Sequence, residues 1–196
     1  MTERRSTTSE FELRKATDGD RMIVGHAAVF NQETRIGSEK YGFIEVIRPG
    51  AFAETMKENR DILALVEHDS GRLLGRTVSG TLRLWEDDRG LAFEIDIPNT
   101  TDGNDVTELL RRGDLGKMSF AFSPRNAGEV LTTKEDGTPL RILTAVDLYE
   151  VSVISQPAYE DTDAALRGKL AALVTAKSIN VDARREMILR TMKRKG

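Results

Sequence analysis

The sequence has no cysteine and only two histidines, His26 and His68, among its 196 residues. The absence of cysteine excludes disulfide frameworks, zinc sites with thiolate ligands and cysteine nucleophiles. Two histidines are too few for a histidine-rich metal centre, and any catalysis that depends on an imidazole must use one of them. We therefore expect no metal and no other cofactor.

Long apolar runs, phosphate-binding loops and a strong net charge are also missing. No stretch approaches the roughly 20 apolar residues of a membrane helix, and the N-terminus lacks the apolar core of a signal peptide. No glycine-rich phosphate loop occurs, so nucleotide chemistry has no support. The 29 basic and 32 acidic residues give a net charge of −3, which predicts little attraction to nucleic acid. We expect a soluble, intracellular chain with neither membrane nor nucleic acid as a partner.

Alternation of apolar and polar residues dominates the chain from residue 11 to about residue 155. Several alternating pairs flank turn sequences, such as residues 17–20 and 87–90, and these pairs predict hairpins. Helical spacing occurs within this region only over residues 51–59 and 99–114. The pattern predicts a mainly β fold with peripheral helices (α+β), in which many short antiparallel strands form a barrel or a curled sandwich.

The ends of the chain differ from this central region. Residues 1–10 are polar and predict a flexible N-terminus, followed by one domain over residues 11–160. Residues 161–177 and 181–195 have the period of amphipathic helices, so residues 161–196 predict a helical C-terminal tail. Its last 13 residues, 184–196, carry six basic side chains and one acidic side chain. On charge alone, this pattern favours a solvated helix end, and the alternative is a docking or nucleic-acid-binding tail.

Three residues are candidates for nucleophilic chemistry. A serine hydroxyl is a poor nucleophile near neutral pH, and it needs an imidazole base that a third group orients. His68 follows an apolar strand at a turn, whereas His26 lies within a strand among apolar residues and is interpreted as structural. Ser119 and Glu150 each lie in a predicted strand, and a carboxylate on an apolar face needs a partner.

Five sequence blocks in a fixed order resemble one known family. They are GHAAVFN (25–31), EVIRPGAF (45–52), the block at 64–98, LLRRGDLGKMSFAFSP (109–124) and LYEVSVISQPAY (148–159). Together they resemble the prohead (capsid-maturation) serine proteases of tailed bacteriophages, whose fold is similar to herpesvirus assemblin. The resemblance covers roughly residues 11–160 and implies an antiparallel, assemblin-like β-barrel.

The resemblance also implies a catalytic triad. The family's histidine falls on His68, its nucleophile on Ser119, and its third member on the strand that carries Glu150, with Asp147 and Asp69 as alternatives. An arginine pair helps to stabilise the oxyanion in assemblin, but no such pair follows Glu150 in its strand. The oxyanion donors are therefore unassigned, with backbone amides or Arg125 as possibilities.

The function implied is that of a serine endopeptidase acting during maturation of a phage prohead. Its substrates would be the major capsid protein or the scaffold, and the enzyme would also cleave itself. It would work in the host cytoplasm inside the immature capsid, where it could form a homo-oligomer and where residues 161–196 would tether it or be removed. The alternatives are an inactive relative that acts as an internal scaffold or assembly module, and a nucleic-acid binder with a basic tail.

Overall fold

The computed structural model describes residues 2–7, 11–15, 21–39, 42–155, 168–173 and 175. Residues 168–173 and 175 are helical, and the predicted helical tail as a whole is not confirmed. Leu170 of this segment is buried and packs with Ile36 and Phe43 in a small apolar cluster. The remainder of the predicted tail lies outside the described residues.

Thirteen strands lie among the described residues. They are β1 (Glu3–Thr7), β2 (Phe11–Lys15), β3 (Arg21–Val29), β4 (Thr34–Ile36), β5 (Phe43–Ile47), β6 (Leu63–Val66), β7 (Asp69–Arg76), β8 (Leu82–Glu86), β9 (Gly90–Asp96), β10 (Lys117–Pro124), β11 (Glu129–Thr133), β12 (Pro139–Leu143) and β13 (Val146–Ile154). The predicted hairpins are present as the antiparallel pairs β2–β3, β8–β9 and β11–β12. The mainly β fold is therefore confirmed.

Two α-helices, α1 (Ala53–Lys57) and α2 (Thr101–Arg112), lie within the strand region, with a 3-10 turn at Thr77–Ser79. Helix α2 begins where the Thr100 side chain accepts a hydrogen bond from Gly103 N at 3.2 Å. It ends at Gly113, whose φ of 80° suits glycine and closes the last turn. Helix α1 is fixed to β13 because Thr55 Oγ1 donates to Val146 O at 2.7 Å.

The strands form three sheets, and among the described residues these sheets do not close into a barrel. The orders are β1-β10-β13-β6-β7, β11-β12-β5-β4 and β2-β3-β9-β8. The predicted antiparallel barrel is not confirmed, because two of the pairings, β13–β6 and β12–β5, are parallel. A pattern of alternation gives the length of a strand but not its partner, and so it cannot distinguish a closed barrel from three sheets.

One face of the five-stranded sheet β1-β10-β13-β6-β7 covers the main apolar core. Met118, Phe120 and Phe122 of β10 project into this core beside Val151 and Val153 of β13. The residues that alternate with these core residues, including Ser119 and Ser152, lie on the opposite face of the same sheet. The alternation found in the sequence therefore separates core residues from candidate site residues.

The N-terminal segment differs from the expected flexible residues 1–10, because Glu3–Thr7 form β1 and pair with β10. Arg5 is 5% exposed, and its guanidinium binds Glu45 at 2.7 and 3.0 Å. Arg141 also binds Glu45, at 3.0 Å, and Glu3, at 2.6 and 2.8 Å. Ion pairs rather than apolar side chains hold β1 in place, which explains why hydrophobic patterning did not predict it.

Candidate active site

His68 lies in a two-residue turn that joins β6 to β7. Val66 pairs with Asp69, and the intervening Glu67 and His68 have φ angles of 52° and 59°. Positive φ at both positions is typical of type I′ hairpin turns, which favour asparagine and glycine. The Glu67 side chain secures the turn because its Oε1 accepts from Ser155 N at 2.7 Å. Backbone strain of this kind is concentrated at functional sites.

Glu150 lies on the sheet face opposite the main core, as Ser152 does, and β13 contains an irregularity just before Glu150. Ala121 pairs with Glu150, but the next residue of β10, Phe122, pairs with Leu148, so Tyr149 is extra. The bulge places Leu148 in the core, whereas strict alternation would place it on the face of Glu150. Bulges commonly re-aim side chains beside active sites, and this one separates Glu150 from the core.

His68 and Glu150 are in direct contact. The distance from His68 Nδ1 to Glu150 Oε1 is 2.5 Å, and both side chains are at most 10% exposed. An ionised carboxylate only accepts hydrogen bonds, so Nδ1 donates its hydrogen to Glu150. The neutral imidazole then presents an acceptor lone pair at Nε2. Nε2 is buried and has no hydrogen-bond partner among the residues that the structure describes.

Ser119 lies on the neighbouring strand, on the same sheet face as Glu150. It pairs with Ser152 of β13 on one side and with Ser6 of β1 on the other. The Ser119 side chain is fully buried, and its Oγ donates to the main-chain oxygen of Arg5 at 3.0 Å. The structure therefore brings His68 and Glu150 together, while the Ser119 hydroxyl points to β1 instead of hydrogen-bonding to the imidazole.

The alternative third members and the candidate oxyanion donor are engaged elsewhere. Asp147 forms ion pairs with Arg60 at 3.0 Å and with Arg125 at 2.8 Å. The Arg125 guanidinium also binds Glu58, at 2.7 and 2.9 Å. Asp69 Oδ1 accepts from Gly71 N at 2.8 Å within β7. Of the carboxylates considered, only Glu150 contacts His68.

The second histidine lies on a different sheet from Ser119. His26 of β3 contacts Asp87 Oδ2 through Nε2 at 2.8 Å, and its side chain is 15% exposed. Burial raises the pKa of the Asp87 carboxyl, but the hydrogen bond from His26 and two backbone amides outweigh burial and lower the pKa overall. His26 therefore has a carboxylate partner of its own, apart from the Ser119 face.

Neither a metal centre nor a membrane-spanning helix is found in the described part of the chain. Its His, Asp and Glu residues include no group of three or more arranged to hold a metal ion. The helices within the described ranges are too short or too polar to cross a membrane.

Two contacts at the site were not predicted from the sequence. Ser152 Oγ donates to Glu150 Oε2 at 2.5 Å, and the Arg5 carbonyl accepts from Ser119. The sequence contained a signal for the contact between Ser152 and Glu150, since residues two apart in a strand share a face. The second joins residues 114 positions apart through β1, and the polar sequence of that strand gave no sign of it.

Comparisons with known proteins give one family match and one similar fold. Residues 9–176 match the family described as caudovirus prohead serine protease. A search of the curated proteins gives no match. Among solved structures, the bacteriophage T4 capsid assembly protease gp21 superposes with a TM-score of 0.52 at 10% identity, over 80% of this chain and 98% of that chain. The chain belongs to the caudovirus prohead serine protease family.

Proposed function

We propose that the protein is a serine endopeptidase of phage capsid maturation, with Ser119 as nucleophile, His68 as general base and Glu150 as the group that orients the base. The observation that carries the proposal is the contact between His68 Nδ1 and Glu150 Oε1, with Nε2 left without a partner in the described part of the chain. This arrangement is what a proton-accepting imidazole needs. Ser119 is on the same sheet face, one strand away.

The proposed reaction is acyl transfer. Ser119 Oγ attacks the carbonyl carbon of the peptide while His68 Nε2 takes the hydroxyl proton. Nε2 then gives that proton to the leaving amine, and water hydrolyses the acyl-enzyme by the reverse sequence of proton transfers. Glu150 fixes the imidazole tautomer and stabilises the imidazolium that forms in each step.

In the described conformation, the hydroxyl of the proposed nucleophile does not hydrogen-bond to the imidazole. Ser119 donates to Arg5 O, and its side chain has no exposed surface. Rotation about χ1 moves a serine hydroxyl between staggered positions, and such a rotation would redirect Oγ from β1 toward the imidazole. Hydrogen bonds of catalytic groups often form fully only in the substrate complex. Opening of the outer face would accompany substrate entry.

The proposed substrates follow from the family and from the named activity of a structural neighbour. Gp21 is a capsid assembly protease, and by this likeness the major capsid protein or scaffold would be the substrate here. The same reasoning extends to self-cleavage, to action inside the prohead and to an assemblin-like substrate groove. Residues 161–196 would tether the enzyme to the shell or be released by that self-cleavage.

A covalent probe tests the proposed nucleophile without knowledge of the cleavage site. We expect a small fluorophosphonate to form a bond between phosphorus and Ser119 Oγ, with loss of fluoride and transfer of the proton to His68 Nε2. Mass spectrometry of peptides from the labelled protein locates the adduct. Co-expression with the phage's own capsid and scaffold proteins should yield cleaved products in parallel.

The outcomes separate an enzyme from an assembly module. Adduct on Ser119 together with cleavage supports the proposal. Adduct on another residue, or intact capsid and scaffold proteins in proheads that nevertheless mature, would show that the protein acts in assembly without peptidase activity. The matched control is Ser123→Ala, because Ser123 lies on the same strand but its hydroxyl contacts Tyr149.

Replacing the carboxylate is expected to impair the enzyme without abolishing activity. In Glu150→Gln the side chain keeps its shape, but the amide no longer fixes Nδ1 as the protonated nitrogen. We expect kcat to fall by about 10²- to 10⁴-fold, less than the loss expected on removal of the nucleophile. Steady-state cleavage of purified capsid protein measures the change. Glu108→Gln, at an exposed carboxylate of α2, is the control, and equal rates for the two variants would contradict the assignment.

A further inference from the structure

The two oxygens of the Glu150 carboxylate are held by two different side chains. Oε1 contacts His68 Nδ1 at 2.5 Å, and Oε2 accepts from Ser152 Oγ, also at 2.5 Å. We propose that Ser152 is a positioning residue that orients the Glu150 carboxylate toward the imidazole. This inference rests on the proposed function, because it assigns a role toward the same base.

The direction of the hydrogen bond follows from the chemistry of the two groups. An ionised carboxylate has no hydrogen to donate, so the hydroxyl of Ser152 is the donor. A hydrogen bond between a hydroxyl and a charged acceptor is stronger than one between neutral groups. With Oε2 held, rotation of the carboxylate is restricted, and Oε1 is directed at Nδ1. Ser152 therefore acts on the imidazole through Glu150.

The position of Ser152 in the sheet supports this role. Ser152 has no exposed surface and lies between Ser119 on one neighbouring strand and Leu65 on the other. Its sequence neighbours Val151 and Val153 are β-branched residues that suit a buried strand. Serine fills less space than valine and brings a hydroxyl that must be satisfied when buried. Its partner is the Glu150 carboxylate, so the polar group at this position serves the site.

Ser152 is also close enough to Ser119 to require a test of which hydroxyl reacts. Residues directly opposite in an antiparallel pair have Cβ atoms about 5 Å apart. The Ser152 hydroxyl contacts the carboxylate, however, and not the imidazole. A positioning residue can be replaced by another donor with retention of activity, whereas a nucleophile cannot be removed without loss of the adduct.

The test compares Ser152→Thr with Ser152→Val. Threonine and valine side chains have the same number of heavy atoms and the same branched shape, and only threonine keeps a hydroxyl, so any effect of crowding is common to the two. The probe is the fluorophosphonate, and the readouts are the maximal inactivation rate kinact and the concentration constant KI. We expect Val to lower kinact by about 10- to 100-fold with KI unchanged, and Thr to stay within about threefold of wild type.

Two further measurements guard against misfolding and against a merely structural role. Ser152→Ala removes the hydroxyl without adding bulk, and we expect it to lower kinact as much as Ser152→Val does. The proton resonance of His68 Nδ1–H should move in the Ala and Val variants and stay near its wild-type position in Thr. If Ser152 served only in packing, kinact would instead fall equally in the Thr and Val variants and stay close to wild type in the Ala variant.

The results that overturn the positioning role differ from those that overturn the proposed function. Equal kinact for Thr and Val, or a Val variant as reactive as wild type, rejects the role of Ser152 while leaving the peptidase in place. Adduct on Ser152 instead of Ser119 rejects it too, and makes Ser152 the nucleophile. If wild type forms no adduct and cleaves nothing, the proposed function fails.

Discussion

Replacing either Ser119 or His68 by alanine is expected to lower kcat/KM for capsid-protein cleavage by about 10⁴-fold or more. Ser119→Ala removes the atom that forms the acyl bond, and His68→Ala removes the only imidazole placed beside Glu150 in the described residues. Loss of the nucleophile and loss of the base disable the same step. We therefore expect the double variant to be no slower than either single variant, because residues that act as a unit are not additive.

The control for this pair is the other histidine. His26→Ala removes an imidazole that also contacts a carboxylate, Asp87, but on a different sheet. We expect it to retain cleavage within a few-fold of wild type, with folding of all variants compared by thermal unfolding. If His26→Ala were inactive and His68→Ala active, the assignment of the base would be reversed. Additive losses in the double variant would show that Ser119 and His68 work in separate steps.

The largest effect on stability is expected from Arg141→Met. Arg141 is 1% exposed and binds three carboxylates, those of Glu3, Glu45 and Glu129, at 2.6 to 3.0 Å. Methionine fills much of the volume but leaves Glu45, itself 3% exposed, with Arg5 as its remaining cationic partner. Removing one member of a buried ion-pair network costs about 3–5 kcal/mol of unfolding free energy. Denaturant unfolding measures the loss.

An exposed arginine with similar contacts provides the control. Arg83 binds Glu94 and Asp96 at 2.7 to 2.8 Å, but its side chain is 40% exposed. We expect Arg83→Met to cost about 1 kcal/mol or less, because solvent screens exposed ion pairs. Equal costs for Arg83→Met and Arg141→Met would show that burial of the network does not determine its contribution.

The same network gives the stability a dependence on pH. Burial raises the pKa of the Glu3 carboxyl, but hydrogen bonds and charge attraction from Arg141 and Arg5 outweigh burial and hold the pKa below its ordinary 4.5. A lowered pKa in the folded state means that this stabilisation is present above pH 4.5 and is lost as the pH falls through the folded value. We expect the decline on acidification to be shallower in Arg141→Met.

Sequence reasoning worked best where a physical signal is local. The hairpins, α1 and α2 all have turn or capping residues beside a clear period, so their existence could be predicted. Strand β1 could not, because it is buried through Arg5 and Glu3, and a strand held by ion pairs has no apolar period. The parallel pairings of β13 with β6 and of β12 with β5 also lack a local signature in the sequence. The expected barrel was antiparallel because these two pairings could not be foreseen.

The members of the candidate site remain a prediction from the family resemblance, and their geometry had no signal in the sequence. Family resemblance singled out His68, Ser119 and Glu150, which lie 51 and 31 positions apart. Alternation placed Ser119 and Glu150 on strand faces, but it could not foresee the bulge at Tyr149 that separates Glu150 from Leu148. The orientation of the Ser119 hydroxyl toward Arg5 depends on β1, and it was therefore inaccessible from the sequence.

The pairing of β1 with β10 makes β1 a direct neighbour of the proposed nucleophile, Ser119. Ser119 borders Ser6 across the ladder, only a few residues from the start of the chain as given. An affinity tag or fusion partner joined to the residues before β1 would be attached close to the strand that receives this hydrogen bond. For recombinant work on the reaction, an untagged or cleavable N-terminus is the safer design.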